Sequence, residues 1–223
     1  SRTCLRPIPT GKVKKKQALY FGIVLSILST TILYFSSNFL SSALLVFTIG
    51  FYFFVYTIWL KRRTPQNIVI GGAAGALPPV IGWTIATGQI SIEPIILFLI
   101  IFFWTPSHFW ALSLYKAGDY KRAKIPMLPI IAGTQRTKLN IFVYSLLMTP
   151  VVIAPYFFDL GGTIYLTVSL VMTSYYVLLC YNLLKENKSK DANVIARKIF
   201  AYSIFYLFVI FFLLLIESLI KLI

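Results

Sequence analysis

Charge and cysteine are both scarce in this sequence. Only 12% of its 223 residues are charged, against about 25% in an average soluble domain, which argues against a soluble globular protein. The two cysteines, Cys4 and Cys180, form neither a disulfide framework nor a metal-binding pattern. Cys180 lies in an apolar run, and we expect it to be a small packing residue.

Apolar residues, in contrast, make up 58% of the chain. They come in runs long enough to cross a bilayer as helices, about 20 residues each. We therefore predict an all-α fold, a polytopic transmembrane bundle that forms one domain over residues 1–223. Seven spans are expected, at residues 17–37, 40–60, 67–87, 92–115, 139–158, 162–184 and 198–219.

The connections between these spans differ sharply in charge. All of the 21 lysines and arginines except Lys221 fall in the amino-terminal segment and in alternate connections. By the positive-inside rule, this predicts a cytoplasmic amino terminus and a carboxyl terminus on the other side of the membrane. The formal net charge of +15 follows from this asymmetry, so it requires no nucleic acid or other anionic partner.

The stretch from Trp104 to Pro129 passes from an apolar run into a basic loop and contains the only histidine, His108. If residues 104–119 form one helix, Trp104, His108, Tyr115 and Asp119 lie within about 60° of one another. Such a stripe could line a site. His108 could equally be a structural residue bonded to a neighbouring helix, although ionisable groups at membrane depth are often functional.

Small residues follow one face of the third predicted span. Asn67, Gly71, Gly75, Pro78 and Gly82 lie within about 80° on a helix. This spacing is typical of close helix packing, and the same flat face could admit a planar or polyprenyl ligand beside the Asn67 amide. The Pro78-Pro79 pair predicts a helix break, which membranes tolerate where a neighbour or a cavity satisfies the freed carbonyls.

Asp119 is the most suggestive acidic residue. It follows an aromatic-rich span, has several cations nearby in the sequence, and precedes the proline-fixed segment Ile125–Pro129. A carboxylate among cations at a membrane surface suits Mg²⁺-bridged diphosphate binding. One aspartate alone holds Mg²⁺ poorly. The other acids expected on this side, Glu186 and Asp191, are read as part of a solvated connector.

Four sequence strings carry a resemblance to a known family. They are Arg2-Thr3-x-x-Arg6-Pro7, the run from Tyr56 to Gly72, Trp104-Thr105-Pro106-x-His108-Phe109-Trp110, and Asp119-Tyr120 with Ala123 and Ile125 to Pro129. Together they resemble the protohaem IX farnesyltransferases, the haem branch of the UbiA-type intramembrane prenyltransferases. The similarity covers essentially the whole sequence. Ala123 stands where many relatives in the wider superfamily carry a second aspartate.

The resemblance implies a nine-span fold whose first aspartate motif ends just before the Arg-Thr-x-x-Arg-Pro string. The sequence opens on Ser1 with no signal peptide, as if inside a loop, so we expect the first two spans and that motif to be missing here. Residues 1–223 alone are then expected to insert into the membrane but to make no product.

The resemblance also implies a reaction: transfer of a farnesyl group from farnesyl diphosphate to a vinyl group of haem b, which gives haem O for terminal oxidases. Mg²⁺ is the implied cofactor, and Asp119 its ligand. Lys116 and Lys121 are expected to act with Asp119 in catalysis. The residues expected to bind substrate are Arg2, Arg6, Lys61, Arg62, Arg63, Asn67, Trp104, His108, Tyr115 and Tyr120.

The implied location is a bacterial cytoplasmic, or inner, membrane, with haem A synthase or oxidase assembly factors as possible partners and no nucleic acid. Two alternatives stay open. One is another UbiA-type reaction, prenylation of a quinone precursor. The other is a non-catalytic transporter or assembly subunit, which would form no product at all.

Overall fold

The computed structural model describes residues 4–221, in which all regular structure is helical. Seven helices in this part of the chain are long and apolar enough to cross a membrane. The prediction of an all-α polytopic bundle with seven spans is therefore confirmed. The helices are α1 (Lys15–Ser36), α2 (Phe39–Gly50, continued by a π-helical segment, Phe51–Leu60), α3 (Asn67–Ala76), α4 (Pro78–Thr87), α5 (Ile92–Tyr115), α6 (Ala117–Arg122), α7 (Leu128–Ile131), α8 (Gly133–Phe157), α9 (Thr163–Lys185) and α10 (Ser189–Ile220).

Two span boundaries differ from the prediction. Helix α8 begins at Gly133 rather than at residue 139, and α10 begins at Ser189 rather than at residue 198. The predicted solvated connector over residues 185–198 is therefore wrong, because most of it is the first part of α10. Asp191 lies in the first turn of that helix, where a negative charge is favourable.

Hydrogen bonds tie the connections together at each end of the bundle. At one end, which we call the basic end, connections 61–66, 116–132 and 186–188 meet. There the Asn67 amide donates to the Lys61 carbonyl, and Lys138 Nζ donates to the Glu186 carbonyl at 2.6 Å. At the opposite end, Asn38 donates to the Thr84 carbonyl at 2.7 Å.

The core of the protein is a four-helix bundle formed by α5, α8, α9 and α10, in which each helix packs against the next and α10 closes on α5. Large side chains fill its centre, and their burial supplies most of its packing energy. The largest fully buried ones are Trp110, Tyr165, Tyr176 and Tyr206. Cys180 is also buried here, as expected for a packing residue.

Polar side chains join the helices of this core in pairs. The Ser107 hydroxyl lies 2.8 Å from the Tyr176 hydroxyl, and the Thr173 and Tyr206 hydroxyls are also 2.8 Å apart. Within an apolar bundle, such a pair fixes the rotation of both helices, because an unpaired hydroxyl there would cost free energy.

The first three spans pack outside this bundle in chain order. Helix α1 contacts α2, the π-helical segment contacts α3, and both α3 and α4 contact α5. Helix α1 buries none of its residues against the described part of the protein. Helix α5 is thus the element shared by the outer spans and the four-helix core.

The backbone departs from regular α-helix at two places in these outer spans. Residues Phe51–Leu60 form a π-helix, in which the Thr57 hydroxyl donates to the Tyr52 carbonyl five residues earlier, at 2.9 Å. The predicted break at Pro78-Pro79 is confirmed, since α3 ends at Ala76 and α4 begins at Pro78. Proline suits the first turn of a helix because it has no N–H group to satisfy.

A carboxylate from α10 caps the start of α9 at the opposite end of the bundle. Glu217 is 7% exposed and accepts hydrogen bonds from the backbone N–H groups of Gly162 and Tyr165, the latter at 2.9 Å. These N–H groups have no partner within their own helix, and a negative charge there is favourable. The sequence prediction assigned no polar role to this span, so Glu217 was missed.

Replacing Glu217 by Gln should therefore destabilise the protein. We expect a loss of about 1–3 kcal/mol in the free energy of unfolding, because glutamine removes the negative charge and leaves one acceptor oxygen for two N–H donors. Unfolding of the purified protein in mixed detergent micelles would measure it. Asp159→Asn, at an exposed acid of the same end, is the control and should unfold like the wild type. Equal stability of the two variants would show that the Glu217 cap does not contribute to the stability of the protein.

Candidate functional site

The connection after α5 turns sharply at the basic end. Helix α5 ends at Tyr115, and α6 begins at Ala117 after a non-helical Lys116. The premise of one helix over residues 104–119 is therefore wrong, and Asp119 lies on a separate short helix. The Asp119 and Tyr120 N–H groups both donate to the Lys116 carbonyl, at 3.0 and 3.3 Å, which holds α6 against the end of α5.

Asp119 forms an ion pair within α6. Its Oδ1 lies 2.5 Å from Nη2 of Arg122, and the Asp119 side chain is 42% exposed. No cluster of three or more acidic, histidine or cysteine ligands occurs among residues 4–221. A single half-exposed carboxylate fits a Mg²⁺ ion whose other ligands are phosphate oxygens and water, the usual arrangement for this ion.

Most of the basic side chains around the same connection are exposed. Lys121 and Arg122 are exposed, and Lys116 is half-buried. Arg6, Arg62 and Arg63 are exposed as well. Arg2 lies outside the described residues. The basic end therefore offers a field of accessible positive charge that would attract a diphosphate.

An apolar cavity of about 260 Å³ lies between the π-helical segment, α3 and α5. We call it the first cavity. Trp104 is one of its walls, and Lys61 lies near its rim with Nζ 5.8 Å from the Tyr56 ring centroid. The first cavity is lined by Tyr52, Tyr56, Ile68, Gly71, Gly72, Gly75, Ile101, Trp104, Thr105 and Phe109.

A second apolar cavity, of about 470 Å³, lies between α4, α5 and α10. Its lining includes Pro78 and Pro79 at the helix break, together with Ile204, Leu207, Phe208 and Phe211. Ile101 and Trp104 line both cavities. These two side chains therefore separate the cavities, which lie on successive parts of the same face of α5.

His108 lies inside the bundle rather than on a cavity wall. Its ring is stacked between Trp104 and Phe200, with centroid distances of 4.2 and 4.6 Å, and it is 7% exposed. Nδ1 lies 2.6 Å from the Ser203 hydroxyl of α10, and the Trp104 indole N–H donates to the Ser203 carbonyl. This is the structural alternative, an imidazole bonded to a neighbouring helix, and it also orients Trp104.

Tyr115 and Asn67 also lie beside the cavities rather than in them. The Tyr115 ring packs against Phe200, and the Arg197 guanidinium lies 5.4 Å from its centroid. Asn67 is 1% exposed at the start of α3, and its carbonyl oxygen has no hydrogen-bond partner. An unpaired buried amide oxygen costs free energy, so Asn67 is available to a donor that the described chain does not supply.

The small residues of α3 differ in the space around them. A Cβ at Gly71 would lie 2.2 Å from Cδ2 of Tyr56, and one at Gly72 would lie 2.9 Å from Cγ2 of Thr105. Gly71 and Gly72 therefore permit close packing. A Cβ at Gly75 would meet nothing within 4 Å, so Gly75 leaves room in the first cavity. Tyr56 was quoted only as part of the family resemblance, and its place in the cavity wall was missed.

Gly71→Ala should therefore displace Tyr56 and lower the free energy of unfolding by about 1–3 kcal/mol, the usual cost of overpacking. Gly75→Ala is the matched control on the same helix and should not destabilise the protein, because its Cβ meets nothing and alanine favours helix more than glycine does. Thermal unfolding of the two purified variants would compare them. Equal melting temperatures would mean that the Gly71–Tyr56 contact is not tight.

Comparisons with known proteins point to one family. Residues 1–205 match the UbiA prenyltransferase family. The Protoheme IX farnesyltransferase of Pelagibacter ubique is 63% identical over 98% of this chain, which spans 72% of that protein. Those of Parvibaculum lavamentivorans and Ehrlichia ruminantium are 47% and 49% identical, over 100% and 98% of this chain and 70% and 72% of their own lengths.

A solved structure has a similar fold. It comes from a study of digeranylgeranylglyceryl phosphate synthase in membranes, and the match has a TM-score of 0.78 over 96% of this chain and 74% of that one. Sequence identity is 19%, so this similarity concerns the arrangement of the helices only.

Proposed function

The chain belongs to the UbiA prenyltransferase family, within its protohaem IX farnesyltransferase branch, and we propose that it transfers a farnesyl group from farnesyl diphosphate to a vinyl group of haem b, making haem O. The observation that carries this proposal is the 63% identity to the Pelagibacter enzyme over 98% of the chain. The site geometry supports it, because accessible cations and a carboxylate lie at the same end of the bundle as the first cavity.

The diphosphate and the isoprenoid of the substrate would bind in different surroundings, one charged and one apolar. The diphosphate requires cations, which Lys116 and Lys121 offer beside Asp119. The isoprenoid requires apolar surroundings, and the cavities on either side of Trp104 are both apolar. We assign the diphosphate to the basic end and the isoprenoid tail to the first cavity, from which it extends past Trp104 toward Pro78.

A divalent metal, Mg²⁺, would be held by Asp119 together with diphosphate oxygens, and it would neutralise charge on the departing diphosphate. Lys116 and Lys121 would stabilise the same charge through charge-assisted hydrogen bonds. The remaining cations, Arg2, Arg6, Lys61, Arg62 and Arg63, would bind diphosphate or haem propionates, in addition to setting topology.

The reaction forms one C–C bond and one C–O bond, while the C1–O bond of farnesyl diphosphate, the vinyl π bond and one O–H bond of water break. The C1–O bond of the farnesyl group breaks, and its electron pair leaves with diphosphate. The π electrons of the haem vinyl group form the new bond to C1. Water then adds to the remaining vinyl carbon and loses a proton, which gives a hydroxyethylfarnesyl side chain. The apolar walls of the cavities would protect the allylic cation from early capture by bulk water.

The aromatic residues would position the substrates. Trp104 contacts both cavities and is held in place by Ser203 and His108, so His108 would orient Trp104 even if it does not touch haem. Tyr120 would contact diphosphate beside Asp119. Tyr115 and Asn67 would act from the cavity margins, where the unpaired Asn67 oxygen would accept a hydrogen bond from water.

We expect Asp119→Asn in the full-length enzyme to reduce haem O formation about 10²–10³-fold, by analogy with the loss of one transition-state donor. Membranes containing the enzyme would be supplied with haem b and farnesyl diphosphate, and haem O would be separated by chromatography. Asp191→Asn removes an exposed acid from the same end and is the control. Near-normal formation of haem O by a well-inserted Asp119→Asn protein would show that Asp119 is a surface charge without a catalytic role.

Orientation in a bacterial inner membrane follows from charge. We propose that the basic end is cytoplasmic, because it carries nearly all of the lysine and arginine side chains. A topology reporter fused after Asn187 should then report the cytoplasm, and one fused after Asp159 the periplasm. The reversed pair of signals would contradict this orientation.

A further inference from the structure

A shallow groove of about 430 Å³ runs between α8 and α9, away from the two cavities assigned to the isoprenoid. It is mainly apolar, with four hydroxyl side chains among its walls. The residues that line it are Phe142, Leu146 and Thr149 of α8 and Leu170, Thr173, Ser174, Val177, Leu178 and Tyr181 of α9.

Several walls of this groove remain exposed in the folded protein. Leu146, Leu170, Leu178 and Tyr181 are 46%, 40%, 52% and 38% exposed. Both helices cross the membrane, so these apolar side chains face lipid. A hydrocarbon chain is what fits such a groove, because it regains the packing contacts that an empty groove would forfeit.

Both walls of the groove lead to a lysine at the basic end. On α8, Lys138 comes one helical turn before Phe142, and on α9, Lys185 comes one turn after Tyr181. Lys185 Nζ lies 4.5 Å from the centroid of the Tyr181 ring. Lys138 is 6% exposed, and its Nζ donates to the Glu186 carbonyl at 2.6 Å.

Lys185 forms no ion pair within residues 4–221. Asp119–Arg122 is the one ion pair among residues 4–221, so Lys185 has no carboxylate partner in the part that the structure describes. The nearest acid in sequence, Glu186, accepts a hydrogen bond from the Lys188 N–H group at 2.8 Å. A positive charge at the polar end of an apolar groove complements a lipid with an anionic headgroup.

We propose that the α8–α9 groove binds an anionic phospholipid. One acyl chain lies along Leu178 and Leu146, and the phosphate meets Lys185 at the basic end. The site is separate from the catalytic cavities, so it holds a structural lipid rather than a substrate. Its position beside the Lys138–Glu186 contact places the lipid where it also covers the junction of α8, α9 and α10.

Native mass spectrometry of the delipidated protein would test the headgroup. Phosphatidylglycerol and phosphatidylcholine with identical chains would be titrated separately. We expect tighter binding of phosphatidylglycerol, and about fivefold weaker binding of it by Lys185→Gln, the effect expected for one surface lysine. Lys190→Gln, at an exposed lysine of the same end, should bind like the wild type. Equal binding of the two lipids, or no difference between the variants, would overturn the proposal.

A second pair of variants tests the groove itself. Leu178→Trp fills the groove and should remove most phosphatidylglycerol binding, whereas Leu147→Trp, at an exposed α8 residue that does not line it, should leave binding unchanged. Farnesyl diphosphate should not displace the bound phosphatidylglycerol. Displacement that depends on Lys185 would show that the groove is a substrate site, and unchanged binding by Leu178→Trp would show that the phospholipid does not occupy the groove. Either result would contradict the proposal.

Discussion

Every peptide group that enters lipid must find its hydrogen-bond partner inside the protein, and the architecture follows from that constraint. Seven helices satisfy this constraint. Within the described residues, the outer spans depart from regular α-helix at only two places. The π-helical segment 51–60 carries Tyr52 and Tyr56 of the first cavity, and the break at Leu77 precedes Pro78 and Pro79 of the second. Irregular backbone is thus found where the chain borders the space assigned to the isoprenoid.

The same constraint applies to polar side chains, and it explains why α5 is the central element. Ser107 bonds to Tyr176, and His108 bonds to Ser203, so α5 is tied to both α9 and α10. Because Trp104 also donates to the Ser203 carbonyl, the wall between the cavities is fixed by the four-helix core. The four-helix core thus holds one wall of the site in place, and the outer spans form the other wall.

Much of this could be predicted from the sequence, since long apolar runs and one-sided charge define spans and connections almost without tertiary information. The start of α10 was missed although Ala192, Ala196 and Ile199, all buried, already show helical spacing. The surroundings of His108 could not be predicted, because Phe200 and Ser203 come from a distant part of the chain. The turn at Lys116 depends on how α6 and α7 pack on α5, which no local pattern specifies.

The central claim is that farnesyl diphosphate enters between the outer spans and α5, with its diphosphate near Asp119. Photo-crosslinking with a diazirine-bearing farnesyl diphosphate analogue, followed by peptide mapping, tests it most directly. The account predicts label on the π-helical segment, α3 and α5, concentrated around Tyr56, Gly75 and Trp104, with excess farnesyl diphosphate preventing it. Label found only in the α8–α9 groove would contradict the account. Labelling that excess farnesyl diphosphate does not reduce would contradict it as well.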